Sequence, residues 1–262
     1  MQQNAFCKTR RLCNSLIIFS FLAMLPFPGR ANPALKSDGG TGLTVSIGYV
    51  STSGNSETTT GNFKSDFHTR WGRLHFKAYG AYLFTDVTNQ ESGVKSRDTE
   101  KIEAGVKTDY SIAEKSSIFT NIVWRKDEPS GIDHNISLAS GYGRTFFDTD
   151  QSMLKGGAGL EGFQEEKLID GSHITDSALA IYFQVDYRYR FSKNNTLKFS
   201  NESRMSLSDN NDYRVANALS YVSAINHTLA LEISYQHNYK NLPVNNKRKT
   251  DSTTTVNLVF HF

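Results

Sequence analysis

The chain has little cysteine and proline, and it has no long apolar run beyond its N-terminal segment. Cys7 and Cys13 are the two cysteines among 262 residues, and both lie in the first 31. If that segment is removed, no disulfide or cysteine-ligated metal site can form. The mean hydropathy is −0.46, and no later stretch is long enough for a spanning helix. The sequence therefore excludes a bundle of transmembrane helices.

Residues 1–31 contain no acidic side chain and have the order of a secretory signal peptide. An apolar run from Leu12 to Leu25 follows a basic stretch formed by Lys8, Arg10 and Arg11. Gly29-Arg30-Ala31 has the small-x-small pattern of a cleavage site, which predicts cleavage near Ala31. The alternative is a retained transmembrane helix, but a run of about 14 residues is shorter than the ~20 that a span requires.

Removal of this segment changes the charge balance. The full chain has 29 basic and 26 acidic residues, a formal net charge of +3 and a sequence pI of about 8.7. Four of the 29 basic residues precede residue 32, so 25 remain against 26 acids and the net charge becomes −1. The basic pI is thus partly a property of the targeting segment, and we expect no nucleic-acid partner.

From residue 41 onward, apolar and polar residues alternate with the period of a β-strand. The clearest row runs along one face from Leu179 to Phe191, with Gln184, Asp186 and Arg188 on the other face. About twelve such segments predict an all-β fold, an antiparallel up-and-down transmembrane barrel. It would occupy residues 41–262, after a short linker at 32–40, with no helix beyond the signal peptide. A large water-soluble sandwich with one solvated face would show the same alternation.

The last residues favour the barrel over the sandwich. Val256, Leu258, Phe260 and Phe262 share one face of a terminal strand, whereas the ends of soluble chains usually fray and are polar. In an outer-membrane barrel the final strand must close the sheet with this face toward lipid. We therefore predict export to the outer membrane. Phe260 and Phe262 would form an assembly signal for the barrel-assembly machinery.

The connections between the predicted strands sort by length. If both termini are periplasmic, the periplasmic connections are tight: Arg70–Arg73, Ser111–Lys115, Phe147–Ser152, Ser192–Asn195 and Ile225–Thr228. The opposite set is longer and richer in Gly, Asn and charge, and it includes Asp86–Arg97, Glu165–Thr175 and Lys240–Lys249. Short periplasmic turns and longer outer loops are typical of outer-membrane barrels.

The inward faces are densely charged with both signs, as a wet lumen requires. The lumen-lining candidates are Lys64, Asp66, Lys101, Glu103, Lys107, Asp109, Glu161, Asp186, Arg188, Arg190, Lys198, Glu202, Arg204 and Glu232. With Lys77, Arg125, Lys155 and Arg214 added, 11 inward bases oppose 7 inward acids. This surplus predicts a slight preference for anions in a conducting barrel.

A resemblance rests on Ser53-Gly54-Asn55-Ser56-Glu57-Thr58-Thr59-Thr60, which follows Gly48-Tyr49. Together with Trp71-Gly72-Arg73 and Gly141-Tyr142-Gly143, this stretch is similar to the signature of the salt-induced outer-membrane protein family. The resemblance extends over essentially the whole mature chain. It implies an outer-membrane β-barrel, and it brings no catalytic or binding residues with it.

The sequence contains no convincing catalytic, cofactor or metal motif, so we expect no enzyme and no cofactor. Weak candidates for a lipase-like or protease-like rim site are His134 beside Asp133, and Ser172 and His173 near Asp170. The seven histidines show no HxxxH or HxH spacing, so no metal site is predicted. The glycine-rich run at 156–159 lies in a predicted strand, where small residues admit bulky neighbours.

Three functions remain open from the sequence. The first is a small, weakly selective outer-membrane channel or stress-related envelope protein. The second is a closed structural barrel whose lumen is plugged by salt bridges, and the third is a rim enzyme. The expected partners are outer-membrane lipids, the assembly machinery and small solutes or ions. The sequence sets no oligomeric state.

Overall fold

The structure, a computed structural model, describes residues 40–52, 57–88, 94–169, 172–244 and 247–262. The signal peptide at 1–31, most of the 32–40 linker and the stretch from Ser53 to Ser56 lie outside the described residues. Asp170, one of the weak rim candidates, also lies outside them.

Twelve strands form the described fold. Their bounds are β1 Gly42–Thr52, β2 Glu57–Trp71, β3 Leu74–Thr88, β4 Lys95–Ala113, β5 Ser116–Asp127, β6 Ile132–Asp148, β7 Ser152–Ile169, β8 Ser172–Arg190, β9 Asn195–Ser206, β10 Tyr213–Ala224, β11 Leu229–Lys240 and β12 Thr250–His261. Each strand pairs antiparallel with its neighbours, and β12 pairs with β1, so the sheet closes into a barrel. The predicted fold class and the number of strands are confirmed.

The seam between β1 and β12 closes through a short ladder. Four residue pairs join these strands, and beyond them Leu43 and Phe262 exchange two backbone hydrogen bonds of 2.8 and 3.1 Å. A buried side-chain bond of 2.8 Å from Asn62 to Asn257 crosses the seam over Gly48. A Cβ at Gly48 would lie 2.3 Å from the Asn257 oxygen, so the small residue makes room for this link.

The two faces of the sheet differ sharply in burial and chemistry. Exterior positions carry large apolar side chains exposed to the surroundings, such as Leu160 at 57% and Leu179 at 56%. Interior positions carry small, polar and charged residues, and Phe119 is fully buried there. A contiguous apolar exterior of this extent is an interaction surface rather than an ordinary soluble surface. It matches the lipid-facing band of a transmembrane barrel.

We call the end with the five tight turns the inner end and the opposite end the outer end. The inner turns span two to four residues, between β2 and β3, β4 and β5, β6 and β7, β8 and β9, and β10 and β11. Gly42 and His261 mark the two chain ends of the barrel, and both lie at this inner end. The predicted set of short connections is confirmed.

Two predicted outer loops were wrong in extent. Both ends of the segment Asp86–Arg97 are strand, since β3 runs to Thr88 and β4 begins at Lys95. Likewise Glu165–Thr175 lies largely in β7 and β8. These hairpins continue the backbone ladder toward the outer end, where apolar residues are mixed with polar and charged ones and the alternation disappears from the sequence. The third loop, between β11 and β12, is confirmed as a long connection.

One turn of 3-10 helix, Glu128–Ser130, departs from the prediction of no helix. The Asp127 side chain caps it by accepting from the Ser130 backbone amide, and Pro129 lies in its first turn. Gly131 ends the turn in a left-handed conformation with a φ of 72°. Among the described residues, no helix has the length and apolarity to cross a membrane.

A row of four residues in register across β5 to β8 shapes one wall of the interior. Gly141 and Gly159 face each other in the middle of the row, and Phe119 and Tyr182 flank them. The two rings meet with their centroids 5.9 Å apart. Glycines in this wall therefore leave space that two aromatic side chains fill, as expected for the 156–159 run.

Candidate functional site: a charged barrel interior

The interior contains two cavities, one toward each end of the barrel. The outer cavity has a volume of about 290 Å³ and reaches Lys247, Arg248 and Lys249 at the outer mouth. The inner cavity has a volume of about 940 Å³ and reaches Lys115 and His261 at the inner end. Five residues line both cavities, Lys64, Ala81, Glu103, Glu202 and Gln236. We call this shared layer the junction.

Twelve of the fourteen lumen-lining candidates line one or both cavities. The outer cavity is lined by Lys64, Lys101, Glu103, Glu161, Glu202 and Arg204. The inner cavity is lined by Lys64, Asp66, Glu103, Lys107, Asp109, Asp186, Lys198, Glu202 and Glu232. Arg188 and Arg190 lie near the inner end of β8 and line neither cavity, and Arg188 contacts Asp148 at 3.4 Å. Arg188 nevertheless lies beside the inner cavity, because its contact Asp148 and its cross-strand partners Met153 and Lys198 line it.

Arg125 spans the lumen at the junction. Its guanidinium contacts Glu103 on the neighbouring strand at 2.7 Å and Glu202 at 3.4 Å. Glu202 belongs to β9, which is separated from β5 by three strands, so the second contact crosses the interior. A planar guanidinium offers five donors, which lets one side chain hold two carboxylates. The junction is therefore the layer where side chains narrow the path most directly.

Further contacts cross the inner cavity. Lys107 on β4 donates to Gln184 on β8 at 2.7 Å, and Lys155 on β7 contacts Asp109 on β4 at 2.8 Å. Both pairs join strands that are not neighbours in the sheet. The cavity nevertheless keeps a volume of about 940 Å³ around them. The side chains thus partition the lumen without filling it.

Glu165 is the centre of the outer charged cluster, and sequence reasoning missed it. Its side chain is fully buried in β7 and binds Arg214 in a two-point contact and Lys240 at 3.1 Å. It was assigned to a loop, although it continues the inward row of Glu161 and Phe163 at period 2. Extending that row by one position would have found it.

The ring of Phe163 contacts two of the outer arginines. The guanidinium carbons of Arg204 and Arg214 lie 5.1 and 5.6 Å from the centroid of Phe163. Arg204 also contacts Glu161 at 3.1 Å. Cation–π contacts and paired carboxylates hold the arginines in fixed positions along the wall. The outer half of the lumen thus has an ordered wall in which arginines are paired with buried carboxylates.

The outer mouth is narrowed by a contact between two connections on opposite sides of the barrel. Lys247 donates to the backbone carbonyls of Glu128 and Pro129 at 2.9 and 2.8 Å. Val244 is buried, and its side chain lies against Gly131 at the end of the 3-10 turn. The long connection between β11 and β12 therefore reaches over to the connection between β5 and β6.

The weak rim candidates come together, but not as a hydrolytic site. His173 contacts Glu166 at 2.6 Å and Asp133 at 3.7 Å, while His134 lies 3.6 Å from Asp133. Asp133, Glu166 and His173 offer ligand atoms within 4.8 Å of one another from three adjacent strands. Sequence spacing could not reveal this group, because its members are distant along the chain. Among the described residues, Ser172 makes no hydrogen bond to His134 or His173, so these residues do not form a nucleophile–base pair in this structure.

Phe260 and Phe262, the proposed assembly signal, lie at the seam. Phe260 pairs with Val45 on one side and with Leu229 on the other. The register places Phe260 on the exterior face with Leu258 and Val256, which are exposed. The terminal apolar row thus continues the band that surrounds the barrel.

One protein-family model, described as "Protein of unknown function, DUF481", matches residues 45–262. The chain belongs to this family. The matched range begins inside β1 and ends at the last residue, so it includes both cavities of this DUF481 protein except the lining residues Gly40 and Thr44. No curated protein matches the chain.

Solved structures with similar architecture share little sequence with this DUF481 protein. The COG4313 outer membrane channel from Pseudomonas putida F1 has a TM-score of 0.47 at 10% identity, over 90% of this chain and 99% of that one. The translocator domain of autotransporter NalP from Neisseria meningitidis has a TM-score of 0.45 at 11% identity, over 86% and 90%. The NanC porin has a TM-score of 0.44 at 9% identity, over 84% and 97%.

Proposed function

We propose that this DUF481 protein is a small outer-membrane channel with a weak preference for anions. The apolar exterior supports a membrane location, since a closed barrel satisfies its backbone hydrogen bonds internally and can face lipid. The charged interior supports passage of water and small solutes. Export through a cleaved signal peptide and insertion by the barrel-assembly machinery complete the proposal.

The observation that carries the channel proposal is the continuity of the two cavities. The inner cavity reaches Lys115 and His261, and the outer cavity reaches Lys247 and Arg248 at the other end. The cavities share the five junction residues, so they adjoin at that layer, which supports a polar path from one mouth to the other. Side chains cross this layer, since Arg125 contacts both Glu103 and Glu202 there.

The preference for anions follows from the charges that line the path. Ten lysines and arginines line the outer cavity against five acids, whereas seven line the inner cavity against eight acids. A ring of one sign of charge sets the selectivity of a wide pore without excluding the other sign. Balanced charge in the inner half keeps the expected preference small.

Chloride efflux from proteoliposomes tests this proposal. Liposomes loaded with chloride and containing the refolded barrel should release it faster than protein-free liposomes of the same composition. Potassium efflux, measured in parallel, should be faster than the protein-free rate but slower than that of chloride. Efflux at the protein-free rate for both ions would refute a channel.

A closed structural barrel is the second candidate, and Arg125 is the observation that favours it. A guanidinium between Glu103 and Glu202 could hold the junction shut and stabilise the barrel across its lumen. In that case the same efflux assay gives the protein-free rate, and a leak begins only when this contact is broken. The efflux assay on the unmodified protein therefore distinguishes the channel from the closed structural barrel.

A role in envelope stress, and induction by salt in particular, rests on the sequence resemblance alone. We propose it as an expectation for the intact cell. Immunoblots of outer-membrane fractions from cultures grown with and without added sodium chloride test it directly. An unchanged protein level at high salt would remove the stress component and leave the channel proposal as it stands.

A further inference from the structure

A group of side chains that can bind a metal ion lies at the outer end of β6, β7 and β8. Asp133, Glu166 and His173 each offer one ligand atom, and these three atoms lie within 4.8 Å of one another. The three residues belong to β6, β7 and β8 respectively, which are consecutive neighbours in the sheet. Because the ligands come from three strands, no short spacing of histidines in the sequence reveals the group.

The strand register places the group on the exterior face of the barrel. His134 pairs with Glu166 across β6 and β7, and His173 pairs with Leu168 across β7 and β8. Glu166 and Leu168 are two positions apart on β7, so their side chains share a face. Leu168 is exposed on that face, as is Ile136, which follows His134 at the same period on β6. An ion can therefore reach the group from outside without entering the lumen.

A β-bulge turns Asp133 toward the same side. The register between β6 and β7 shifts between Ile132 and His134, which leaves Asp133 as an extra residue in its strand. In a regular strand Asp133 and His134 would point to opposite faces. Here one Asp133 oxygen lies 3.6 Å from Nε2 of His134 and 3.7 Å from Nδ1 of His173. Bulges often re-aim side chains in this way beside functional sites.

The two carboxylates of the group have no lysine or arginine partner among the described residues. Asp133 has only His134 and His173 as ion-pair partners there, and Glu166 has only His173, at 2.6 Å. A histidine compensates a carboxylate only when it is protonated, and a neutral imidazole is itself a metal ligand. A bound cation would balance both negative charges and use the imidazole nitrogen at the same time.

The donor atoms and their spacing suit zinc and related ions. Zinc binds histidine nitrogen and carboxylate oxygen at about 2.0–2.2 Å, which sets ligand atoms about 3.3–3.6 Å apart in a tetrahedral site. The 3.7 Å between His173 and Asp133 is close to this spacing. The 2.6 Å contact between His173 and Glu166 has to open by about 1 Å, which side-chain rotation on an exposed rim allows. Calcium and magnesium prefer a set made of oxygen ligands alone.

We propose that Asp133, Glu166 and His173 form a binding site for a divalent transition-metal ion of the zinc class on the outer rim of the barrel. The ion joins three neighbouring strands beyond the apolar band. His134 lies within reach as a second nitrogen ligand, through its position beside Asp133. The inference does not depend on the channel proposal, because the ligands face away from the lumen.

Isothermal titration calorimetry with Zn²⁺ tests the site on untagged protein purified in detergent from bacterial membranes and treated with a chelator. We expect saturation at one Zn²⁺ per chain. Ca²⁺ titrated in the same buffer should bind at least about tenfold more weakly, because it does not favour imidazole. Zn²⁺ should also raise the midpoint of thermal unfolding, since the three ligands come together only in the folded barrel.

Two test variants and one control assign the binding to this group. The double variant His134→Ala with His173→Ala removes both nitrogen ligands and should weaken Zn²⁺ binding at least about tenfold. Glu166→Gln keeps the shape of the side chain, removes its charge and should also weaken binding. His227→Ala removes an exposed histidine from an inner turn and should bind Zn²⁺ as the unmodified protein does.

The absence of saturable Zn²⁺ binding would overturn the inference, as would an unchanged affinity in the double histidine variant. Equal affinity for Ca²⁺ and Zn²⁺ would also overturn it, because it would mean an acidic surface without a contribution from imidazole. Heat-modifiable migration in gels shows which variants are folded. The two histidine side chains are 54% and 55% exposed, so the double variant should fold, and Glu166→Gln decides if it does not.

Discussion

Arg125 on β5 reaches Glu202 on β9 across the lumen, with 3.4 Å between the guanidinium nitrogen and the carboxylate oxygen. The same guanidinium binds Glu103 on the adjacent strand. One side chain thus connects two walls at the layer where the outer and inner cavities meet. How freely solutes pass this layer depends on how firmly Arg125 is held.

Glu202→Gln should raise the single-channel conductance. The amide keeps the shape of the side chain but loses its charge, so Arg125 is held by Glu103 alone and moves toward one wall. The loss of one interior acid should also increase the preference for chloride. Asp176→Asn serves as the control, because it removes an acid from an exposed pair with Lys167 on the outer hairpin. Equal conductance in the Glu202→Gln and Asp176→Asn variants would contradict the conclusion that the contact between Arg125 and Glu202 restricts the junction.

Gly141→Ala should prevent the barrel from folding or should lower its free energy of unfolding strongly. The loss should exceed the ~1–3 kcal/mol that overpacking usually costs. A Cβ at this position would lie 2.2 Å from the backbone oxygen of Ala158. Backbone atoms of a paired strand cannot move aside without breaking the ladder. Unfolding in urea, followed by heat-modifiable migration in gels, gives the comparison.

Gly80→Ala is the matched control for that variant. A Cβ there would have its nearest neighbour at 3.5 Å, an ordinary contact. We expect Gly80→Ala to fold with unchanged stability. If both variants behave alike, the close approach of β6 and β7 at Gly141 and Gly159 is not the constraint that we describe.

Glu165→Gln should destabilise the barrel by about 3 kcal/mol, as when one member of a buried charge cluster is neutralised. Arg214 and Lys240 would then lie together in the outer half without the carboxylate that separates them. Asp176→Asn, which removes a carboxylate that is 55% exposed, should cost no more than about 1 kcal/mol. Urea unfolding in detergent measures the free energy of unfolding of both variants. An equal loss of stability in the two would mean that the lumen screens the charge of Glu165 as effectively as bulk water does.

Deletion of Phe260 to Phe262 should abolish assembly of the barrel. The deletion removes the two backbone hydrogen bonds between Leu43 and Phe262 and two of the four β1–β12 residue pairs. The remaining ladder is too short to close the sheet. Heat-modifiable, membrane-inserted protein should disappear, whereas the substitution His261→Ala keeps the backbone pairs and should assemble. Normal membrane insertion after the deletion would show that residues Phe260 to Phe262 are not needed for assembly of the barrel.

The barrel itself was predictable, because lipid on one side and water on the other impose strict alternation. The Leu179 to Phe191 row and the terminal Val256 to Phe262 row both show it, and both lie in strands. At the outer ends of β3 and β4, over Asp86–Thr88 and Lys95–Arg97, the alternation ends although the strand pairing continues. Strand limits outside the apolar band were therefore wrong for a physical reason.

Interior partners were far less predictable than interior positions. Period 2 identifies which residues face inward, but contacts such as Arg125 to Glu202 or Lys107 to Gln184 depend on register around a closed sheet. The inward position of Glu165 was missed because the end of β7 was predicted too early in the chain, and not because of the chemistry of its side chain. The row of Phe119, Gly141, Gly159 and Tyr182 likewise becomes visible only when four strands are aligned.

Single-channel recording of the unmodified protein in planar bilayers tests the central claim most directly. The proposed path through the two adjoining cavities predicts discrete openings, and under a potassium chloride gradient the reversal potential should indicate a modest preference for chloride. A bilayer that contains folded, inserted barrel and shows no openings, or a reversal potential of the opposite sign, would contradict the account.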